Sequence, residues 1–308
     1  MELTNKNSVK RDVGHLKRMD KIKDYLFFYA LLFIPLVHFL IFNVYVNINS
    51  VFLPFQAKET GEFTLENFEF VFELFKTGGE LRIAFKNALI YYFTGLIQSF
   101  VIALLFAYFL YKKILGYRLF QVIFMLPSII SGVIMISIYK NLLGVNGPLS
   151  ILYESLTGET MPFLLYTEET ATWTIVAYGV WLGFGMNLIL YCGALVKIPP
   201  EIVESAQLDG VGFFREFFAI ELPLIWPTVS MLLLMSVNGI FMASGPILMF
   251  TEGMYNTMTI DFWFYKKVIM ENDYGLASAF GWLLTLGGAP LTILVFWIRR
   301  KLPPDIEY

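Results

Sequence analysis

Long apolar segments recur along the chain, and six of them are free of Asp, Glu, Lys and Arg. A helix needs roughly 20 apolar residues to cross about 30 Å of hydrocarbon, because its backbone polar groups must be satisfied within the helix. The pattern therefore predicts an all-α polytopic membrane protein with about six transmembrane helices. The predicted spans are Tyr25–Val46, Asn87–Tyr111, Leu119–Tyr139, Thr170–Val196, Leu222–Thr251 and Tyr274–Ile298.

Two other segments need interpretation. The apolar stretch Asn141–Tyr153 is short and holds Gly144, Gly147 and Pro148, which favours a loop or a re-entrant turn. The first apolar run follows a basic segment, as a signal peptide would. It is too long for a signal-peptide core and lacks a small-residue cleavage site, so we expect a retained first helix.

The positions of the cations predict the orientation, because Lys and Arg concentrate in cytoplasmic loops. With both termini in the cytoplasm, 15 of the 22 Lys and Arg residues lie inside and 14 of the 25 Asp and Glu residues lie outside. The predicted organisation is a cytoplasmic tail (1–24), a transmembrane domain (25–298) that includes a cytoplasmic segment (197–223), and a second cytoplasmic tail (299–308). We expect a multi-pass protein of the cell membrane.

Composition and charge exclude several classes. The chain is 57% hydrophobic and only 15% charged, unlike an ordinary soluble domain. A net charge of −3 and the lack of a basic stripe argue against nucleic-acid binding. The single cysteine, Cys192, supports neither a disulfide framework nor a cysteine-based metal site.

The predicted spans carry one ionisable group of the kind that marks proton paths, His38, which disfavours a proton-coupled pump. Neutral polar side chains are present instead. They could bind an uncharged, polyhydroxylated solute, or they could serve helix–helix packing. They are Gln98, Ser99, Gln121, Ser128, Ser131, Asn187, Tyr191, Ser236, Asn238 and Ser278.

The segment between the fourth and fifth spans predicts two short helices. Pro199 and Pro200 suit a first helical turn, and Gly210 can adopt the left-handed conformation that ends a helix. After it, Phe and Ile residues recur at helical spacing over 213–220, which favours an aromatic helix at the membrane interface, with Pro223 opening the fifth span. The residues alone also fit two interfacial helices with no further role.

The run Glu204-Ser-Ala-x-x-Asp-Gly210, followed after nine residues by Ile220-x-Leu222-Pro223, resembles the EAA signature of binding-protein-dependent ABC importer permeases. Further similarity extends over roughly residues 25 to 300. It points to carbohydrate permeases of the maltose or glycerol-phosphate type, and among them to the first of two permease subunits. The segments that carry it are Leu126–Ser131, Trp181–Phe184 and Tyr274–Ala279.

The chain departs from the family pattern in three regions. Ser205 replaces the second Ala of the signature, and Thr251-Glu252-Gly253-Met254 stands where relatives show Thr-x-Gly-Gly-Pro. Ser236 matches a sugar-contacting Ser of the maltose permease, but the next two polar positions are Ile240 and Ala243 here. The predicted substrate pathway is Ser236, Asn238, Gly183, Asn187, Tyr191 and Ser131.

The resemblance implies a type I ABC importer permease fold in which the signature is a coupling helix seated on a separate ATPase. Glu204 would face that partner, although a solvated charge is the alternative. The implied partners are a second homologous permease, ATPase subunits and an extracellular solute-binding protein, in a prokaryote. This chain would bind no cofactor, and ATP and Mg would be used by the ATPase. The implied coupling residues are Glu204, Ser205, Ala206, Asp209, Gly210, Ile220, Leu222 and Pro223.

Rival functions remain at this point. The chain has no G-x-x-x-x-G-K-[ST] phosphate loop and no H-E-x-x-H zinc motif. An intramembrane hydrolase would need Ser128 or Ser131 as nucleophile with His38 as base. A channel or secondary transporter would need internal inverted repeats, and none is evident. An ABC permease for a solute other than a carbohydrate is a further alternative.

Overall fold

The computed structural model describes residues 25–58, 60–237 and 239–301, with the backbone alone for 298–301. These residues are mainly helical, and the one pairing of extended backbone among them is an antiparallel bridge between Gln56 and Phe63. The predicted tails fall largely outside the described residues, as does Asn238. The helices are α1 (Tyr25–Phe55), α2 (Glu66–Lys76), α3 (Glu80–Tyr111), α4 (Tyr117–Ile129), α5 (Gly132–Leu143), α6 (Pro148–Thr157), α7 (Ala171–Leu195), α8 (Pro200–Leu208), α9 (Phe213–Leu224), α10 (Trp226–Val237), α11 (Ile247–Phe250), α12 (Ile260–Tyr265, continued by a π turn over Lys266–Met270) and α13 (Tyr274–Lys301).

Four of the described helices are long and apolar enough to cross a membrane: α1, α3, α7 and α13. Two bent pairs bring the number to six if each pair forms one span. Helices α4 and α5 meet at 110°, and α9 and α10 meet at 71°. The described residues therefore support the all-α polytopic fold that the apolar segments predict.

The bends differ from the predicted continuous spans. The third predicted span is interrupted by Ile130 and Ser131, whose backbones are extended (ψ of 145° and 133°) and cannot continue a helix. The predicted loop over Asn141–Tyr153 is partly helical, because Pro148 occupies the first turn of α6, where the missing N–H costs nothing.

The fifth predicted span is also shorter than its apolar segment. Its helix α10 ends at Val237, and turns then lead to the short helix α11 at Ile247. Pro223 does not open this span, since it lies inside α9, and the chain bends at Ile225 instead. The apolar segment thus continues through turns that an apolar count cannot distinguish from a helix.

Helix α1 stands apart from the rest of the chain. None of the side chains in its most apolar 18-residue window is buried. Its last turn holds it to the molecule: Pro54 is buried, and the ring of Phe55 lies 6.3 Å from that of Trp282 on α13. The remaining length presents a mainly apolar surface, which also carries the exposed polar side chains His38, Asn43, Asn47, Asn49 and Ser50.

The other helices enclose two hydrophobic cores. The Trp263 core contains residues from α2, the first half of α3, α5, the first half of α7, α12 and α13. The Tyr191 core contains residues from the second halves of α3 and α7 together with α9 and α10. Helices α3 and α7 run through both cores, so they connect the two ends of the molecule.

Candidate functional site

Proline residues begin helix α8, and a glycine in the left-handed conformation follows its end. Pro199 is extended and Pro200 occupies the first turn. At the other end Gly210 has a φ of 73°, and the N–H groups of Gly210 and Val211 donate to the carbonyls of Gln207 and Ala206 at 3.1 Å each. This is the Schellman pattern, which needs a left-handed residue after the helix. No atom lies within 4 Å of a Cβ added at Gly210, so backbone conformation alone calls for glycine there.

The two faces of α8 differ sharply. Val203 and Ala206 are buried against the molecule, whereas Glu204 and Ser205 are exposed. Leu208, at the end of the helix, is 89% exposed, and Asp209 is exposed beside it. A nine-residue helix held by two small apolar side chains thus presents an acidic and apolar outer face.

Helix α9 buries a face that its aromatic pattern does not predict. Phe214 and Phe218 are 74% and 58% exposed, while Glu216 and Glu221 are buried. A π turn over Phe217–Glu221 separates the two carboxylates, and the N–H of Leu222 donates to the carbonyl of Phe217. Of the other signature residues, Ile220 and Leu222 are half-buried and Pro223 is exposed.

Lys112, the residue after α3, pairs with both carboxylates of α9. Its Nζ contacts Glu216 Oε1 and lies 2.8 Å from Glu221 Oε1. The side chains of Lys112, Glu216 and Glu221 are 20%, 6% and 0% exposed. Burial opposes the charge on Lys112, but the hydrogen bonds to Glu216 and Glu221 outweigh it and raise the pKa of the ammonium group. We call these three residues the Lys112 network.

A glutamine side chain and three aromatic rings lie next to the Lys112 network. The side-chain amide of Gln207, on α8, reaches Glu216 Oε1 at 3.5 Å. The ring of Tyr108 lies 4.6 Å from that of Phe217 and 5.0 Å from that of Phe213. Lys112 Nζ also lies 5.3 Å from the ring centre of Tyr108, within the range of a cation–π contact. Side chains from α3, α8 and α9 therefore meet at one point.

A second polar region lies where α7 breaks. The break falls at Gly183, next to a π turn over Gln98–Ile102 in α3. A Cβ added at Gly183 would collide with the side-chain amide of Gln98, so the two helices approach as closely as glycine permits. Gln98 is buried, and its Nε2 has no hydrogen-bond partner among the described residues. One turn on, Asn187 Nδ2 donates to Ser99 Oγ at 2.9 Å.

Gly185 adds a third close approach in this region. A Cβ added there would lie 2.7 Å from the Cβ of Ser128 on α4. We call Gln98, Ser99, Gly183, Gly185 and Asn187 the neutral region. Two of the predicted substrate-pathway residues, Gly183 and Asn187, belong to it.

The other predicted pathway residues lie elsewhere. Tyr191 is buried in the Tyr191 core, and its hydroxyl lacks a partner among the described residues. Ser131 is exposed at the break between α4 and α5. Ser236 donates to the carbonyl of Leu233 within α10, and Asn238 lies outside the described residues. The assignment of these residues to the pathway remains a prediction.

Two of the cavities on the described surface lie beside the long helices. One, of about 920 Å³, is lined by Arg82, Lys86, Phe93 and Trp173 near the start of α3 and α7. The other, of about 580 Å³, lies between the turn after α10 and helix α13. Its wall includes Ile240, one of the two positions where the family pattern loses a polar residue.

The loop after α11, where the family pattern also fails, has an unusual backbone. Glu252, Tyr255 and Asn256 all have positive φ values between 51° and 57°. The buried side chain of Asn87 donates to the carbonyls of Asn256 and Met258 at 2.6 and 2.9 Å. These bonds hold the loop in a conformation that residues other than glycine rarely adopt.

The hydrolase alternative finds no geometry in its favour. Ser128 donates to the carbonyl of Met125 in its own helix, and His38 stacks on Phe42 of α1 at 4.7 Å. Within the part of the chain that the structure describes, no hydrogen bond joins His38 to either serine. The nucleophile–base contact that such catalysis requires is therefore not formed.

The Lys112 network is not evident from the sequence pattern. In the sequence, Lys112 indicates only which side of the membrane its loop occupies. The spacing of the Phe residues in α9 predicts an aromatic helix and gives no role to its two Glu residues. The signal that the sequence does offer is the position of two acidic residues, Glu216 and Glu221, on either side of a short aromatic stretch. Five residues apart, Glu216 and Glu221 would point about 140° apart on an ordinary α-helix, so their spacing did not suggest a shared face.

Comparison with known proteins agrees with this architecture. Relatives include the "Probable ABC transporter permease protein YesP" of Bacillus subtilis (strain 168), 27% identical over 286 residues that cover 89% of this chain and 90% of the relative. The "Multiple sugar-binding transport system permease protein MsmF" of Streptococcus mutans is 26% identical over 286 residues, which cover 89% of this chain and 95% of the relative.

The fold is similar to that of a chain in the crystal structure of "a bacterial ABC transporter involved in the import of the acidic polysaccharide alginate". The TM-score is 0.79 with 23% identity, and the match covers 93% of this chain and 99% of that chain. At this identity the likeness concerns the fold. It agrees with the expected ABC importer permease architecture.

Several apolar helices, two of them joined through a short and exposed signature helix, are typical of membrane permeases. Residues 111–308 match the family "Binding-protein-dependent transport system inner membrane component", and the chain belongs to that family. It is a membrane-embedded permease subunit of an ABC importer, as the EAA signature predicts. The coupling helix of this family is α8 in our structure.

Proposed function

We propose that this permease imports a carbohydrate, in complex with a second homologous permease, two ATPase subunits and an extracellular solute-binding protein. The family description supports dependence on a binding protein. The name of MsmF and the alginate transporter of similar fold support a saccharide substrate. Binding and hydrolysis of ATP belong to the ATPase subunits, and this chain contributes the path and the contact that drives it.

The shape of α8 is the observation on which the coupling role rests. The helix is anchored by Val203 and Ala206, ends at the Gly210 turn and exposes Glu204 and Ser205. An ATPase that grips this face can move α8 as a rigid piece and thereby favour an outward-open or inward-open arrangement of the spans. We further propose that α8 faces the cytoplasm.

The orientation can be tested by labelling in intact cells with a membrane-impermeant thiol reagent. Cys192 is first replaced by Ala. Leu208→Cys, which is 89% exposed in the chain, should then stay unlabelled until the cells are opened. Phe63→Cys, 79% exposed between α1 and α2, should be labelled at once and serves as the control. Labelling of Leu208→Cys in intact cells would overturn the proposal.

The function itself is tested on the purified assembly. The tagged chain is extracted in mild detergent, its co-purifying subunits are identified, and the complex is reconstituted in vesicles with its binding protein. We expect ATP-dependent uptake of at least one radiolabelled saccharide from a panel of neutral and acidic oligosaccharides. A complex that lacks ATPase subunits, or that takes up none of the panel, would contradict the proposal.

A pair of glycine substitutions then probes α8. Gly210→Val should abolish uptake, because a left-handed conformation costs a residue with a Cβ roughly 1–2 kcal/mol. The turn that ends α8 would then adopt a different conformation. Gly212→Val is the matched control, since Gly212 has an ordinary φ of −72° and open space around it. Both variants should insert in the membrane. Equal uptake by the two variants would remove the role given to the Gly210 turn.

A further inference from the structure

Three helices meet at the Lys112 network. Helix α8 reaches it through Gln207, α9 contributes Glu216 and Glu221, and Lys112 directly follows the last residue of α3. Helix α3 continues from there through both cores and past the neutral region. A displacement of α8 can therefore reach the middle of the molecule along one continuous helix.

Glu221 also connects the Lys112 network to the bend between α9 and α10. Its carbonyl accepts the N–H of Ile225 at 3.0 Å, at the residue where α9 turns by 71° into α10. Ile225 itself is buried in the Tyr191 core. Lys112 thus holds the end of α3 against the bend that precedes α10, four residues after Glu221.

Stability alone does not account for this arrangement. A buried ion pair can usually be replaced by apolar side chains of similar size without loss of stability. Here one lysine faces two buried carboxylates, and Glu221 Oε2 has no hydrogen-bond partner among the described residues. Such an arrangement keeps its directional contacts at an energetic cost, and in some proteins buried polar groups of this kind fix the relative positions of the elements that they join.

We infer that Lys112, Glu216 and Glu221 are positioning residues that transmit the movement of α8 to α3 and α10. This inference rests on the proposed function. The carboxylates of Glu216 and Glu221 are buried next to the rings of Tyr108, Phe213 and Phe217, and low local polarity strengthens the ion pairs. The three helix ends then shift together when the ATPase subunits close.

The test uses the reconstituted complex and the radiolabelled oligosaccharide that the wild type takes up fastest. Lys112→Met keeps the length of the side chain and removes its charge. We expect the ATPase subunits to remain bound and ATP to be hydrolysed, while uptake per ATP falls about 2-fold to 30-fold, the range in which residues linking two sites alter coupling. Lys112→Arg should restore most of the uptake, because it keeps the charge.

The matched control is Lys113→Met, which removes the same charge from an exposed neighbour and should leave uptake per ATP unchanged. If Lys112→Met does not reach the membrane, Glu216→Gln takes its place, because it leaves Lys112 paired with Glu221. A double variant of Lys112→Met and Glu216→Gln should be no worse than Lys112→Met alone, since both act through one contact.

Two results would overturn the inference. One is wild-type uptake per ATP in Lys112→Met, and the other is loss of the ATPase subunits from that variant, which would make the network a docking element. Failure of the proposed function is distinguishable, because the wild-type complex itself would then show no ATP-driven uptake. An active wild type with an inactive Gly210→Val and a fully coupled Lys112→Met would refute the inference alone.

Discussion

The neutral region and the Lys112 network both join α3 to its neighbours, but they do so by different means. In the neutral region, α3 meets α7 at Gly183, next to the Gln98 side chain, and a neutral 2.9 Å hydrogen bond joins Asn187 to Ser99. At the C-terminal end of α3, a lysine and two buried carboxylates make the contact.

This difference indicates which contacts between helices can break and form again. A neutral hydrogen bond between membrane helices is worth only about 0.6 kcal/mol, so helices that rely on such bonds can slide and bond again. Removing one partner of a buried ion pair costs about 3–5 kcal/mol, so the joined elements stay together. Helices α3 and α7 can therefore rearrange at their middle while the end of α3 follows α9.

Of the Gly185 and Glu221 substitutions, the larger effect on the melting temperature is expected from filling the closest approach of the neutral region. Gly185→Ala would place a methyl group 2.7 Å from the Cβ of Ser128, and α4 would have to move. Overpacking of this kind costs about 1–3 kcal/mol. The melting temperature of the detergent-extracted protein should fall accordingly.

The same helix offers a control for that substitution. Gly193 lies on α7 with no atom within 4 Å of an added Cβ, so Gly193→Ala should keep or raise the melting temperature by removing backbone freedom from the unfolded chain. If the two variants melted alike, steric contact at Gly185 would not be what holds α4 and α7 together.

The smallest effect is expected in the Lys112 network, from Glu221→Gln. This substitution removes the surplus negative charge from a fully buried side chain and leaves Lys112 paired with Glu216. The melting temperature should stay within about 2 °C of the wild type or rise, because the network then buries one cation and one anion and no surplus negative charge.

Glu216→Gln is the comparison, because Glu216 contacts both Lys112 and Gln207. It should lower the melting temperature more than Glu221→Gln does. The reverse order would mean that Glu221 is the principal partner of Lys112, and the contact between α8 and α9 would lose its importance.

Much of the fold follows from local pattern. The apolar segments indicated the long helices α3, α7 and α13, because a membrane span needs an uncharged run and little else. Pro200 and Gly210 indicated both ends of α8, since each restricts the backbone by itself. The bends at Ile130 and Ile225 were not evident, because apolar residues continue through both.

The sequence by itself determined the membrane class and the position of the signature helix, both of which depend on residues close together in the chain. The tertiary structure alone decided the Lys112 network. Lys112 and Glu216 are 104 residues apart, and only the π turn over Phe217–Glu221 rotates Glu221 toward the side on which Glu216 lies. Periodicity assumes a regular helix, so it could not reveal a contact that depends on the helix being irregular.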